Sequence, residues 1–233
     1  MVNRIHIIIV AAGTGSRFGS AVPKQFCDLS GRPVLVHAWQ RLAAHYPGAG
    51  FTVVCSPLWV DTVAAYAERY GLERPRLVAG GATRWESVRN GLATVPQEAD
   101  IILVHDGARP NPSEALLTAL DDALAAGAAG AIPATAVTDS LRALEPDGTS
   151  RPVDRASLRA VQTPQAFRAD VLRRAYALPY RPEFTDDASV VEAAGAGAVM
   201  LTRGEPSNIK ITNPADIALA EILIRNAHSA DRP

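Results

Sequence analysis

The residues best suited to chemistry gather around one short stretch, where "AAGTGSRFG" follows a β-branched apolar run and leads on to "PKQF". Small residues let backbone N–H groups approach phosphate oxygens, and two cations nearby, Arg17 and Lys24, can neutralise a polyphosphate. A glycine turn with two solvated cations is the plainer alternative. A second candidate is "IILVHDGARP", an apolar run that delivers Asp106 to its end with Arg109 close behind. A carboxylate there suits Mg²⁺, which takes only one or two protein carboxylates and shares the rest of its shell with substrate phosphates and water. The same aspartate could equally cap a turn. His105 has no second His or Cys at a metal spacing and reads as structural.

Two further stretches are weaker. In "GGATRWESVRNGL", Gly80 and Gly81 precede a helix whose first turns carry Arg84 and Ser87, groups able to meet a base or ribose. Taken alone it reads better as a Gly-Gly turn with Thr83 as N-cap. In "SNIKITNP", Lys210 alternates with Ile209 and Ile211 as in a strand with one apolar face. "TDDAS" reads as a helix start, Thr185 capping and Asp186 and Asp187 complementing the dipole; both acids stand outside the predicted catalytic set.

These groups need elements to hold them. Ile5–Val10, Phe51–Cys55, Arg76–Ala79, Ile101–His105, Ala131–Pro133 and Val199–Thr202 read as strands. Between them "PVLVHAWQRLAAHY", "LWVDTVAAYAERYG", "TRWESVRNGLATV" and "NPSEALLTALDDALAAG" carry helical periodicity, the last capped by Asn111 or Ser113. Further helices are predicted over Ala169–Ala177, Thr185–Ala194 and Pro214–Asn226. The alternation predicts an α/β, Rossmann-like fold with a mainly parallel sheet covered by helices on both faces. Ligands of such sheets bind beyond the strands' carboxyl ends, so the loops after Val10 and His105 would share a crevice. Val137 to Gln162 breaks the pattern with polar partial alternation around Pro-Asp-Gly, as a β-hairpin would. It is either a solvated surface hairpin or a projecting arm. No repeat or linker divides the 233 residues, so one domain, 1–233, with an inserted hairpin over 137–160 is the simplest organisation.

Composition narrows the partners. A net charge of −1 gives no basic field for nucleic acid. Two cysteines without CxxC spacing, no leader pattern and no long apolar run fit a cytoplasmic protein with no membrane partner. The dinucleotide fingerprint GxGxxG fails at its third position, where Phe18 stands, and Cys55-Ser56-Pro57 offers no acid for a ribose. The P-loop fails too, because no GK[ST] follows.

In order and spacing, "AAGTGSRFG…PKQF", "GGATRWESVRNGL", "VHDGARP", "DRASLRAVQTPQAF", "TDDASVVE" and "NIKITNPADIALAE" resemble the 2-C-methyl-D-erythritol 4-phosphate cytidylyltransferase family over nearly the whole chain. The resemblance implies CMP transfer from CTP to that polyol phosphate, with Arg17, Lys24 and Lys210 catalytic and Mg²⁺ or another divalent cation at Asp106. It further implies that Ala11, Ala12, Gly13 and Gly15 wrap CTP and that Gly81 and Ser87 read the base, with Arg84 supporting that loop. Asp106 would also meet the ribose. Arg109, Thr163 and Lys210 would hold the acceptor. The hairpin becomes a homodimerisation arm carrying Ser140 and Arg155 to the neighbouring subunit. Val10, Ala82, Gly107 and Ser140 depart from the family's commoner residues, and none removes a needed charge. Ribitol 5-phosphate is the closest rival acceptor; a non-catalytic nucleotide-binding protein on the same fold is the rival of another class, and an NAD-dependent enzyme a third.

Overall fold

The computed structural model describes residues 4–13, 18–19 and 22–230, so Gly15 and Arg17 lie outside the described residues. The chain opens with β1 (Ile5–Ala11), followed by a two-residue hairpin of β2 (Asp28–Leu29) and β3 (Arg32–Pro33). Helix α1 (Val34–His45) starts directly after Pro33, whose fixed φ suits a helix entry. Then come β4 (Gly50–Cys55), α2 (Val60–Arg69), β5 (Arg76–Ala79), α3 (Arg84–Leu92), β6 (Ile101–Asp106) and α4 (Glu114–Ala125). The second half supplies β7 (Gly130–Ala136), β8 (Leu141–Leu144), β9 (Ser150–Val153), β10 (Arg159–Val161), β11 (Gln165–Arg168), α5 (Ala169–Ala175), α6 (Asp187–Ala193), β12 (Val199–Arg203) and α7 (Ala215–Ala230).

The parallel half of the sheet runs β6-β1-β4-β5, with Val10 opposite Asp106 in register. From β1 the chain crosses to β4 and β5 on one side, then returns through α3 to β6 on the other. Strand order thus reverses between β1 and β6, and that switch point opens a crevice at their carboxyl ends. Beyond β6 the sheet is mixed. β11 runs antiparallel to β6 and β7, β10 runs antiparallel to β7, and β12 runs parallel to β7. The expected mainly parallel sheet holds, with two short antiparallel strands that the residue pattern does not reveal.

Period-two alternation sorts β1 between two cores. Ile7 and Ile9 pack with Trp39, Leu42, Phe51, Leu103 and Leu116 on one face, while Ile8 packs with Val54, Val88, Ile102 and Phe167 on the other. All three isoleucines are fully buried, each worth about 1.5–3 kcal/mol on the usual scale for apolar burial. A third, smaller core joins Phe18 and Leu29 to Ile211, Ala220 and Ile224 of the closing segment. Phe18 therefore anchors the end of the glycine loop in apolar packing. That accounts for an aromatic where a dinucleotide loop needs glycine.

Several expected boundaries shift. Of the two expected caps of α4, Ser113 serves, accepting the Leu116 N–H. Asp186, not Thr185, caps α6 through a reciprocal box with Ser189. Lys24 opens a 3₁₀ turn, Lys24–Phe26. No strand forms over 207–213: after β12 the sheet offers Lys210 no neighbour to pair with. In the hairpin, β8 and β9 pair only with each other, and no residue of 134–161 is buried.

Candidate active site

Glycines and side-chain amides set the crevice floor. Gln25, buried beside Lys24, donates its amide to the carbonyls of Ala11 (2.6 Å) and Gly13 (2.9 Å). The turn carrying Lys24 is thereby stitched to the start of the glycine loop. Across the crevice, Thr83 and Glu86 form a capping box that starts α3. Ser87 Oγ accepts the Gly81 N–H (3.1 Å) and donates to the Thr83 carbonyl (2.9 Å). A Cβ on Gly80 would fall 2.2 Å from Ala12 Cβ, and one on Gly81 2.3 Å from Glu86 Cβ, so only glycine fits either place.

Asp106 ends β6 and is almost wholly buried. Its Oδ2 accepts from Lys210 Nζ at 2.6 Å and its Oδ1 from Arg84 Nε at 3.2 Å. Burial would raise its pKa, but Arg84, Lys210 and Arg109 outweigh that and hold it well below the usual carboxylate range. The carboxylate stays ionised at any physiological pH. Arg84 spans further, its Nη2 donating to fully buried Asp187 at 2.8 Å. Burial opposes the Arg84 charge, yet Asp187 and then Asp106 raise its pKa well above the ordinary value. Arg84 was expected to support the Gly80–Gly81 loop. Ser87 and Glu86 brace that loop instead, and Arg84 is committed to two carboxylates.

Thr163 and His105 support Asp106 from behind. The Arg109 carbonyl accepts from His105 Nε2 (2.9 Å), which leaves Nδ1 to accept from the Thr163 hydroxyl (3.2 Å). Thr163 Oγ1 in turn accepts the Asp106 N–H at 3.0 Å. Burial lowers the His105 pKa to about 4, in keeping with a neutral structural residue. Lys210 is placed without a strand. Gln162 binds both backbone groups of Glu205 (2.7 and 3.0 Å), Asn208 Nδ2 donates to the Thr163 carbonyl (2.9 Å), and Ile211 N–H reaches the Ala108 carbonyl (2.9 Å).

Two adjoining crevices result. The first, about 360 Å³, is lined by the predicted residues Ala11, Ala12, Gly13, Gly81 and Ser87, with Lys24 and Lys210. The second, about 270 Å³, is lined by Arg109, Thr163, Thr185 and Lys210. Arg84, Asp106 and Lys210 line both. Ser140 and Arg155 line neither; Arg155 donates to the Thr138 carbonyl within the hairpin, and Ser140 is exposed. A larger cavity, about 1060 Å³ between α1 and α4, contains none of the predicted residues. Cations converging on an ionised carboxylate, rather than volume, mark these two crevices as the candidate site.

Sequence reasoning missed Gln25, Gln165, Tyr176 and Asp187. The Gln165 side-chain carbonyl accepts from the N–H groups of Asp187 and Ala188, and Tyr176 Oη donates to Asp187 at 2.6 Å. Arg84 and Asp187 lie 103 residues apart, so no local spacing announces them. The uninterrupted PKQF and TPQAF motifs were the available signal for both glutamines.

A glycine-loop crevice at a switch point, lysines on its rim and an ionised aspartate in its wall define a nucleotidyltransferase-like α/β protein. The sequence profile of the 2-C-methyl-D-erythritol 4-phosphate cytidylyltransferase (IspD) family matches residues 5–226. The chain belongs to that family. It is 40% identical over 226 residues to the 2-C-methyl-D-erythritol 4-phosphate cytidylyltransferase of Porphyromonas gingivalis, covering 96% of this chain and 99% of that one. It is 44% identical over 224 residues to the bifunctional enzyme IspD/IspF of Rhodospirillum rubrum, covering 95% of this chain but only 57% of that longer protein. The crystal structure of 4-diphosphocytidyl-2C-methyl-D-erythritol synthase from Anaerococcus prevotii superimposes with a TM-score of 0.80 at 28% identity, covering 96% and 99% of the two chains.

Proposed function

We propose that the chain transfers CMP from CTP to 2-C-methyl-D-erythritol 4-phosphate, releasing pyrophosphate. The observation that carries this reading is the Lys210–Asp106–Arg84 row standing in the wall common to both crevices. A donor nucleotide in the first crevice and an acceptor phosphate in the second would meet at that row. An oxygen of the acceptor phosphate attacks the α-phosphorus of CTP, the bond from the α-phosphorus to the bridging oxygen breaks, and pyrophosphate leaves. The nucleophile is already an anion, so no covalent enzyme intermediate is needed. Lys24, Lys210 and, from the sequence, Arg17 neutralise the charge that develops; Arg109 and Thr163 orient the acceptor.

A divalent cation fits the residues present in one way. Asp106 is the sole carboxylate among the described residues lining the first crevice, and it is ionised, which meets the one-carboxylate pattern of Mg²⁺ with a triphosphate. Such an ion, held by Asp106, would supply further neutralisation of the phosphates. The rest of the proposal is one domain, 1–233, with the 137–160 hairpin as a dimerisation arm, in the cytoplasm. Among the described residues no helix is long and apolar enough to cross a membrane.

The test is pyrophosphate release from CTP by the purified protein, with methylerythritol phosphate and ribitol 5-phosphate in turn. Turnover with the former should dominate, and Lys24→Ala should lower it about 100-fold or more, as loss of an oxyanion donor does. Preference for ribitol phosphate rejects the acceptor; CTP binding without turnover on either rejects catalysis.

A further inference from the structure

We propose that Asp187, a residue without contact to either substrate crevice's reacting groups, is a positioning residue for the transfer, acting through Arg84 on Asp106. The inference rests on the functional reading above. Asp187 begins α6, but the capping work belongs to Asp186, so helix formation does not require it. Complementing the helix dipole does not require burial either, since that effect operates at exposed positions. Yet Asp187 is wholly inaccessible, and its carboxylate has two donors, Tyr176 Oη at 2.6 Å and Arg84 Nη2 at 2.8 Å. A buried ion pair is a poor source of stability compared with apolar packing of the same volume. Its effect on geometry is definite, however. A guanidinium is a rigid plane, so gripping Nη2 from behind fixes the direction of Nε. That Nε meets Asp106 Oδ1 at 3.2 Å, while Lys210 holds the other oxygen at 2.6 Å.

The support continues outward. Gln165 holds the first turn of α6 through two backbone N–H groups and binds Asp186 Oδ2 with its amide nitrogen at 2.9 Å. Tyr176 stacks on Trp85, the neighbour of Arg84, at 5.7 Å between ring centroids. Arg84 is thus held by its side chain and by the packing of its own helix. Loss of Asp187 would leave the guanidinium free to turn, and Asp106 would keep only Lys210 as an oriented partner.

The test compares the parent protein with Asp187→Asn, Arg84→Gln and the double variant. Asparagine keeps the shape and can still accept from Tyr176, but turns an N–H toward Arg84 Nη2. Thermal unfolding first establishes which variants fold. Asp187→Asn should lower kcat about 10- to 100-fold, the range for groups that orient a catalytic residue, with KM for CTP near the parental value. The double variant should be no slower than Arg84→Gln alone. Independently of turnover, the Arg84 Nε–H cross-peak in an arginine-labelled ¹H–¹⁵N spectrum, assigned by its loss in Arg84→Gln, should be protected in the parent and lose protection in Asp187→Asn. A folded Asp187→Asn with parental kcat, a double variant slowed by the product of the single effects, or an unchanged Nε–H signal overturns the proposal. If Asp187→Asn does not fold, Tyr176→Phe replaces it; reduced kcat and weakened Nε–H protection support the role, and parental values for both overturn it. A parent inactive on every polyol phosphate rejects the functional reading, while the Nε–H signal still decides whether Asp187 positions Arg84.

Discussion

Buried histidines couple the fold to pH, and His6 does so far from the crevice. It is almost fully inaccessible, hydrogen-bonded to Thr52 Oγ1 at 2.8 Å, and burial with nearby Arg76 and Arg173 lowers its pKa from 6.5 to about 4. Between those values the unfolded chain binds a proton that the folded chain refuses, so stability rises with pH across the window. The contribution is complete above 6.5 and is lost as pH falls toward about 4. Asp106 is shifted in the same direction, but its contribution is lost only at pH below the ordinary carboxylate range, so it does not act in this window. Denaturant titrations between pH 7 and 4 should show falling stability, with His6→Gln removing up to about 1.4 kcal/mol per pH unit of the slope. An unaltered slope would assign the acid sensitivity elsewhere. At this scale the sequence shows charge better than partnership. Lys24, Asp106 and Lys210 are conspicuous as polar residues at the edges of apolar runs, whereas Asp187 looks like any helix-start acid until Arg84 arrives from another element.

Helix α3 shows how an element sets a site by its depth. Gly91 faces the sheet, and a Cβ there would lie 2.8 Å from Ile8 Cγ2 and 2.9 Å from Val54 Cγ2. Both methyls belong to fully buried β-branched residues that have few rotamers to escape into. Gly91→Ala gains roughly 1 kcal/mol of helix propensity. Overpacking a tight core costs about 1–3 kcal/mol, and because neither neighbour can yield, this effect wins. The variant should therefore be less stable than its parent by about 1 kcal/mol in denaturant unfolding, and CTP should bind more weakly as α3 and Ser87 move outward. A stabilised variant would mean the helix lifts away at no cost. Long amphipathic helices are legible because burial on one face writes a period into the chain, and the parallel strands because burial on both faces makes a continuous apolar run. The segment around Lys210 defeats that logic. Its alternation is real, with Ile211 buried and Lys210 exposed, but side chains of Gln162 and Asn208 rather than a strand neighbour hold the segment.

For the whole molecule the unexplained part is the hairpin. β8 and β9 pair over four residues each, no residue of 134–161 is buried, and Leu144 stands 84% exposed. An isolated two-stranded hairpin is marginal in water, so this one needs a surface to lie on. The proposed dimer supplies it, and would bring Ser140 and Arg155 to a neighbour's second crevice, which neither residue lines in its own chain. Subunit mixing separates the two geometries. In a dimer of one Lys24→Ala and one Arg155→Ala subunit, an arm acting across the interface leaves one site with both residues intact and one with neither. An arm serving its own subunit leaves both sites defective. Random equal mixing makes half the molecules heterodimers, so the crossed arm predicts recovery to about a quarter of parental activity from two inactive proteins. The check is pyrophosphate release after unfolding and refolding the two variants together. No recovery, with heterodimers demonstrated by differential tagging, would place the function of Arg155 within its own chain.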